Sequence, residues 1–147
     1  MRHTNQSELK NYEAYQAYLT SIQWDFFCTL STDYELTPKS ARRLMDRYCE
    51  RLKQTIYNNE NGFLCFWVAE KFKAKDGCNI HTLIKQPQIL NLVGSWELDN
   101  AFQIVSGAKK QNQYFRTDIE KYEPKLMGAR YFAKDLKYNN TAYDLII

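Results

Sequence analysis

The stretch from Phe63 to Ile84, FLCFWVAEKFKAKDGCNIHTLI, decides the fold. Phe63 to Phe72 and Cys78 to Ile84 are rich in aromatic and β-branched side chains, and Lys75-Asp76-Gly77 between them is a turn signal. Two such runs, so closely joined, predict an antiparallel hairpin. In its second strand Asn79, His81 and Leu83 share one face, and Cys78, Ile80, Thr82 and Ile84 share the other. With an even number of loop residues, Glu70 lies directly across from His81, or diagonal to it and opposite Leu83. Either register brings Glu70, Asn79 and His81 to one face within side-chain reach. An odd loop breaks that parity unless a bulge restores it.

Working outward, Trp24 to Leu30 (WDFFCTL) reads as another strand. Thr37-Pro38 opens a helix, with Thr37 as N-cap and Pro38 at the first helical position. Ala41, Leu44, Met45, Tyr48, Leu52 and Ile56 keep its 3.6-residue period until Asn58 to Gly62 break it. Residues 7–22 fit a first helix. Pro87 to Leu98 reads as a helix around Leu90, Val93 and Trp96, and Ala101 to Val105 as a strand. Gly107 to Gln113, with Lys109 and Lys110, is a polar loop before a strand from Tyr114 to Lys121. Pro124 starts a last helix to about Tyr138, and Tyr143 to Ile147 reads as a closing edge strand. The order predicts one α+β domain over residues 1–147, an antiparallel sheet of about five strands with helices mainly on one face.

The chain has 147 residues, of which 44% are apolar and 15% aromatic, enough for a true core. Three Pro and five Gly exclude a collagen-like or largely disordered chain. No apolar run approaches the roughly 18 residues of a membrane span. Met1 to Gln6 is polar, without the apolar stretch of a signal peptide. These features predict a soluble, cytoplasmic protein. Cys28, Cys49, Cys65 and Cys78 form no CxxC pair and read as reduced, buried thiols. A net charge of +3 permits nucleic-acid binding without demanding it.

Only His3 and His81 are available for imidazole chemistry. One carboxylate, one imidazole and one amide oxygen can hold a hard or borderline divalent ion and leave positions open. The plain alternative is a strand histidine hydrogen-bonded to Glu70. On the last helix, Leu126, Ala129, Phe132, Ala133 and Leu136 form an apolar stripe, and Tyr131 and Lys134 lie together off it. A phenol can act as a covalent nucleophile, and a nearby ammonium can stabilise the charge that develops on a phosphate. The plain alternative is a surface Tyr/Lys pair.

In combination these segments resemble the HUH endonuclease superfamily, the single-strand nickases of rolling-circle replication initiators (Rep) and relaxases. Phe26-Phe27-Cys28-Thr29-Leu30-Ser31 is similar to its first motif, an aromatic strand ending in Thr-Leu-Thr/Ser. Asn79-Ile80-His81 is similar to its His-hydrophobic-His metal motif, Glu70 to the upstream acidic ligand, and Tyr131-Phe132-Ala133-Lys134 to the catalytic Tyr-x-x-Lys. Asn79 stands where the family has its first histidine, and Asp135 where two-tyrosine members carry a second nucleophile. The resemblance implies an RRM-like sheet with the site on its open face. It further implies a Mn²⁺ or Mg²⁺ ion on Glu70, Asn79 and His81, and Tyr131 as nucleophile assisted by Lys134. The implied reaction is nicking and strand transfer through a 5′-phosphotyrosine, to initiate rolling-circle replication or DNA mobilisation.

The implied partner is single-stranded or hairpin DNA, with a helicase or host replication proteins in trans, inside a bacterial cell or the host cell of a virus or plasmid. Lys71, Lys73 and Lys75 near the hairpin turn, and Arg130 and Lys137 beside Tyr131, are the candidate DNA contacts. Arg43, Arg47 and Arg51 recur along the second helix and read as a solvated face paired with Asp46 and Glu50. Two alternatives stay open. One is an HUH-like domain, weakened at Asn79, that binds single-stranded or hairpin DNA without cutting. The other is an unrelated RRM-like nucleic-acid-binding or protein-interaction module.

Overall fold

The computed structural model of the protein describes residues 6–88, 93–107, 117–126 and 142–147. Helix α1 (Gln6–Ser21) precedes strand β1 (Phe26–Leu30). Helix α2 (Pro38–Arg51) runs on through a π-helical turn (Leu52–Ile56). The hairpin strands β2 (Leu64–Lys71) and β3 (Cys78–Lys85) follow, then helix α3 (Ser95–Ser106), strand β4 (Asp118–Lys121), a 3₁₀ turn (Pro124–Leu126) and strand β5 (Tyr143–Ile146). The five strands form one antiparallel sheet in the order β4-β1-β3-β2-β5. This is the expected α+β fold, with β3 at its centre.

The alternation of β1, β2 and β3 divides the core in two. Cys28, Leu30, Cys65, Trp67, Ile80 and Ile84 face α2 and α3, against Leu44, Met45, Tyr48, Leu98 and Phe102. The opposite face carries Phe66, Val68 and Leu83, covered by Leu19 at the end of α1 and Trp24 just after it. The Trp24 indole N–H donates to the Leu19 carbonyl at 2.8 Å, fixing where α1 meets the sheet. All four cysteines are free and buried.

Helix α2 begins as its sequence requires. The Ser40 N–H donates to Thr37 Oγ1 at 3.1 Å, the Thr37 N–H donates to Ser40 Oγ at 2.8 Å, and Pro38 occupies the first turn. Helix α3 departs from expectation: Ala101 to Val105 is helical, not a strand, and the helix starts at Ser95 rather than Pro87. The β-branched pair Ile104-Val105 suggested a strand, but Leu98, Ala101, Phe102 and Val105 pack at helical spacing. Its start is set where the Gly94 N–H donates to Glu97 Oε2 at 2.8 Å. Its end is Gly107, at φ +65°. Strand β4 starts at Asp118, and residues 114–116 lie outside the described residues. Of the expected helix from Pro124 to about Tyr138, Pro124–Leu126 form a 3₁₀ turn, and the rest, with its stripe beyond Leu126, lies outside the described residues.

Candidate functional site

The β2–β3 register differs from both sequence alternatives. Glu70 pairs with Asn79, two residues short of His81, and Val68 lies opposite His81. The cause is the turn. The Phe72 N–H donates to the Gly77 carbonyl at 3.0 Å and closes a four-residue loop over 73–76. A tight Asp-Gly turn of the I′ type needs positive φ at both residues. Here Gly77 is left-handed at φ +98° and Asp76 is not, so the glycine ends the loop instead of centring it. The loop is still even, so Glu70, Asn79 and His81 share a face.

On that face the Glu70 carboxylate reaches diagonally to His81, with Oε2 and Nε2 2.6 Å apart. The imidazole is 9% exposed and the carboxylate 25%, so the pair is largely shielded yet open on one side. The other ring nitrogen, Nδ1, lies 3.3 Å from Thr29 Oγ1 on β1, the residue directly opposite His81. Phe27 flanks the imidazole, with ring centroids 6.4 Å apart. The ring is therefore held by a carboxylate, a hydroxyl and an aromatic side chain. Asn79 Oδ1 is buried and has no hydrogen-bond partner among the described residues. A buried polar atom left unpaired is costly, and this one stands beside a carboxylate and an imidazole.

Beyond Thr29, Asp118 is directly opposite it on β4 and Glu120 is opposite Phe27, so both carboxylates belong to the same face. A hydrogen bond and charge repulsion from Asp118 hold the Glu120 carboxyl above its ordinary range. The face thus runs from an apolar half under α1 to a polar half made of Glu70, Asn79, His81 and Thr29, with an acidic edge at β4.

The arrangement can hold a divalent ion through one imidazole nitrogen, one carboxylate oxygen and the Asn79 amide oxygen. This set suits Mn²⁺ or Mg²⁺ better than a thiophilic metal. Among the described residues, no group of three or more His, Cys, Asp or Glu side chains could hold a metal. The amide oxygen is therefore essential to any site here, and its lack of a partner is the feature that fits it to the role.

Lys71, Lys73 and Lys75 are exposed around the hairpin turn, with the Lys75 ammonium 4.5 Å from the Phe72 ring centroid. Tyr131, Lys134, Arg130 and Lys137 lie outside the described residues. The arginine row keeps the expected solvated face, with Arg43, Arg47, Asp46 and Glu50 exposed, but not the expected pairing. Among the described residues neither Arg43 nor Arg47 pairs with Asp46 or Glu50; Glu50 accepts from Gln54, and the ion pair of α2 is Arg42 with Asp144 at 3.4 Å. Helical spacing turns Arg43 and Arg47 toward the loop after β1 instead. Sequence reasoning missed Thr29 as a partner of His81, although the Thr-Leu-Ser end of its strand was the available signal. It missed Asp118 and Glu120 too, because the β1–β4 register has no local signature.

No family model, no characterised protein and no solved structure matches the chain significantly. No helix among the described residues is long and apolar enough to cross a membrane.

Proposed function

We propose that the protein is a metal-dependent nickase and strand-transferase of single-stranded DNA. The observation that carries this reading is the convergence of a carboxylate, an imidazole and an unpartnered amide oxygen on two adjacent strands of the sheet. Glu70, His81 and Asn79 are the residues that hold a Mn²⁺ or Mg²⁺ ion, whose contribution when bound is Lewis-acid polarisation of the scissile phosphate. Thr29 fixes the His81 ring. Tyr131 attacks phosphorus in line, and the bond to the 3′-oxygen breaks. The phenol proton passes to the departing 3′-hydroxyl, and the 5′-phosphate stays on the tyrosine. Lys134 stabilises the added negative charge. A later strand hydroxyl reverses the transfer.

One observation favours a second reading, a domain that binds a single strand or hairpin without cutting it. Both nitrogens of His81 already have partners within the protein. An RRM-like module reading bases by stacking is less well supported, because the rings of β1 and β2, Phe26, Phe27, Phe66 and Trp67, are half-buried or buried.

Incubation with a pool of single-stranded oligonucleotides and Mn²⁺ tests the reading. A denaturation-resistant protein–DNA adduct is expected from the wild type and lost in Glu70→Gln. Strand binding without any adduct selects the second reading.

A further inference from the structure

The arginines that the site leaves aside line a cavity of about 530 Å³ between α2 and the loop after β1, together with Tyr34, Leu36, Ser40, Leu44 and Asp46. That volume is in the range of a nucleotide-sized ligand. Tyr34 is 45% exposed, yet its hydroxyl donates to the Ser106 carbonyl at 2.7 Å, so the ring is an anchored platform. Arg43 and Arg47 sit one helical turn apart, and neither makes an ion pair among the described residues. With Asp46 in the lining and Asp33 beside Tyr34, the two guanidiniums make no dense positive charge, which suits a single phosphodiester better than a free polyphosphate.

The cavity lies on the side of the sheet covered by α2 and α3, opposite the Glu70–His81 face, and the β2–β3 hairpin joins the two. Cys78 Sγ donates to the Leu36 carbonyl at 3.3 Å, and a Cβ on Gly77 would meet Glu35 Cγ at 3.1 Å. The loop that walls the cavity is therefore packed on the hairpin that carries Glu70 and Asn79.

We propose that this cavity is a nucleotide subsite for single-stranded DNA, in which Arg43 and Arg47 grip a backbone phosphate and Tyr34 stacks on the adjoining base. The proposal rests on the reading of the protein as a single-strand binder and extends the strand's path from the Glu70–His81 face around the hairpin to α2.

Fluorescence anisotropy of the full chain with a labelled, mixed-sequence single-stranded oligonucleotide over a salt series tests it. Arg43→Gln with Arg47→Gln should lower the slope of log affinity against log salt by about 0.7, the value for one neutralised single-strand phosphate. Tyr34→Ala should weaken binding roughly fivefold or more, and Lys53→Gln, at the far end of the helix, should change neither. Photocrosslinking of an iodouracil-substituted strand to wild type should mark Tyr34, a readout independent of any variant's folding. The proposal is overturned if wild type does not bind the strand or if the variants keep its affinity and salt slope. It is equally overturned if polyglutamate displaces the strand as well as unlabelled DNA does. Binding through the cavity without any covalent adduct sinks the nickase reading and leaves this subsite standing.

Discussion

Glu70 Oε2 and His81 Nε2 meet at 2.6 Å although the two residues are diagonal, not opposite, across β2 and β3. A carboxylate can only accept, so Nε2 carries the proton of this hydrogen bond. To ligate a metal, that nitrogen would have to give up its proton, leaving Nδ1 to carry one. Thr29 serves both situations, because a hydroxyl can donate to Nδ1 or accept from it.

Thr29→Val therefore isolates the role of the hydroxyl. Valine keeps the β-branched shape that suits β1. Loss of the hydrogen bond that orients a metal-ligating histidine weakens metal affinity by about 10- to 100-fold. Isothermal titration with Mn²⁺ should show this loss while the urea midpoint stays near wild type. Unchanged Mn²⁺ affinity would remove Thr29 from the site.

Asn79→His is expected to act in the opposite direction. Imidazole is a better ligand than an amide oxygen for borderline divalent ions, and position 79 already faces Glu70. The variant should bind Mn²⁺ more tightly and form more adduct. Calorimetry with no metal binding by either protein would count against a metal role and favour the binding-only reading.

Much of this arrangement was legible in the sequence. Strand alternation and loop parity are local properties, so the shared face of Glu70, Asn79 and His81 followed from their numbers modulo two. Register is not local. It depended on whether Gly77 centred or ended the turn, and the 73–76 loop moved each partner by at least two residues, which keeps the face. The start of α3 was missed because its cap is a glycine backbone N–H bound to Glu97, a weaker sequence signal than Thr37-Pro38. The cavity at Arg43 and Arg47 could not be read from spacing, since whether a helix face meets solvent or a loop is decided by tertiary packing.

The contact between α2 and α3 rests partly on one hydroxyl. Tyr48 is fully buried and donates to the Leu98 carbonyl at 2.9 Å. Tyr48→Phe removes this buried hydrogen bond while the carbonyl stays within the backbone ladder of α3, and should destabilise the fold by about 0.5–1.5 kcal/mol. Urea denaturation measures it; an unchanged midpoint would mean that the hydroxyl contributes nothing to the α2–α3 contact.

The buried thiols and phenols set an alkaline limit. Burial pushes the Cys28 and Cys65 thiols and the Tyr48 and Tyr57 phenols up, and the Cys78 thiol up to about 11. In the unfolded chain the thiols ionise near 9.0, so above that pH the unfolded state sheds protons the folded state keeps. These groups contribute their full stability below pH 9.0, and it falls as pH rises toward the folded values. Urea midpoints should hold from about pH 7 to about 9 and decline beyond. A midpoint that holds or rises above that range would contradict the account.

The most direct measurement of the central claim is the chemical location of the DNA adduct. Wild type, Tyr131→Phe and Tyr138→Phe are each incubated with single-stranded oligonucleotides and Mn²⁺, denatured, digested and mapped by mass spectrometry. The account predicts a nucleotide on Tyr131 in wild type and in Tyr138→Phe. It predicts none in Tyr131→Phe, which should still bind the strand and unfold within about 0.5 kcal/mol of wild type. An adduct that survives Tyr131→Phe, or one that maps to Tyr138, would contradict it.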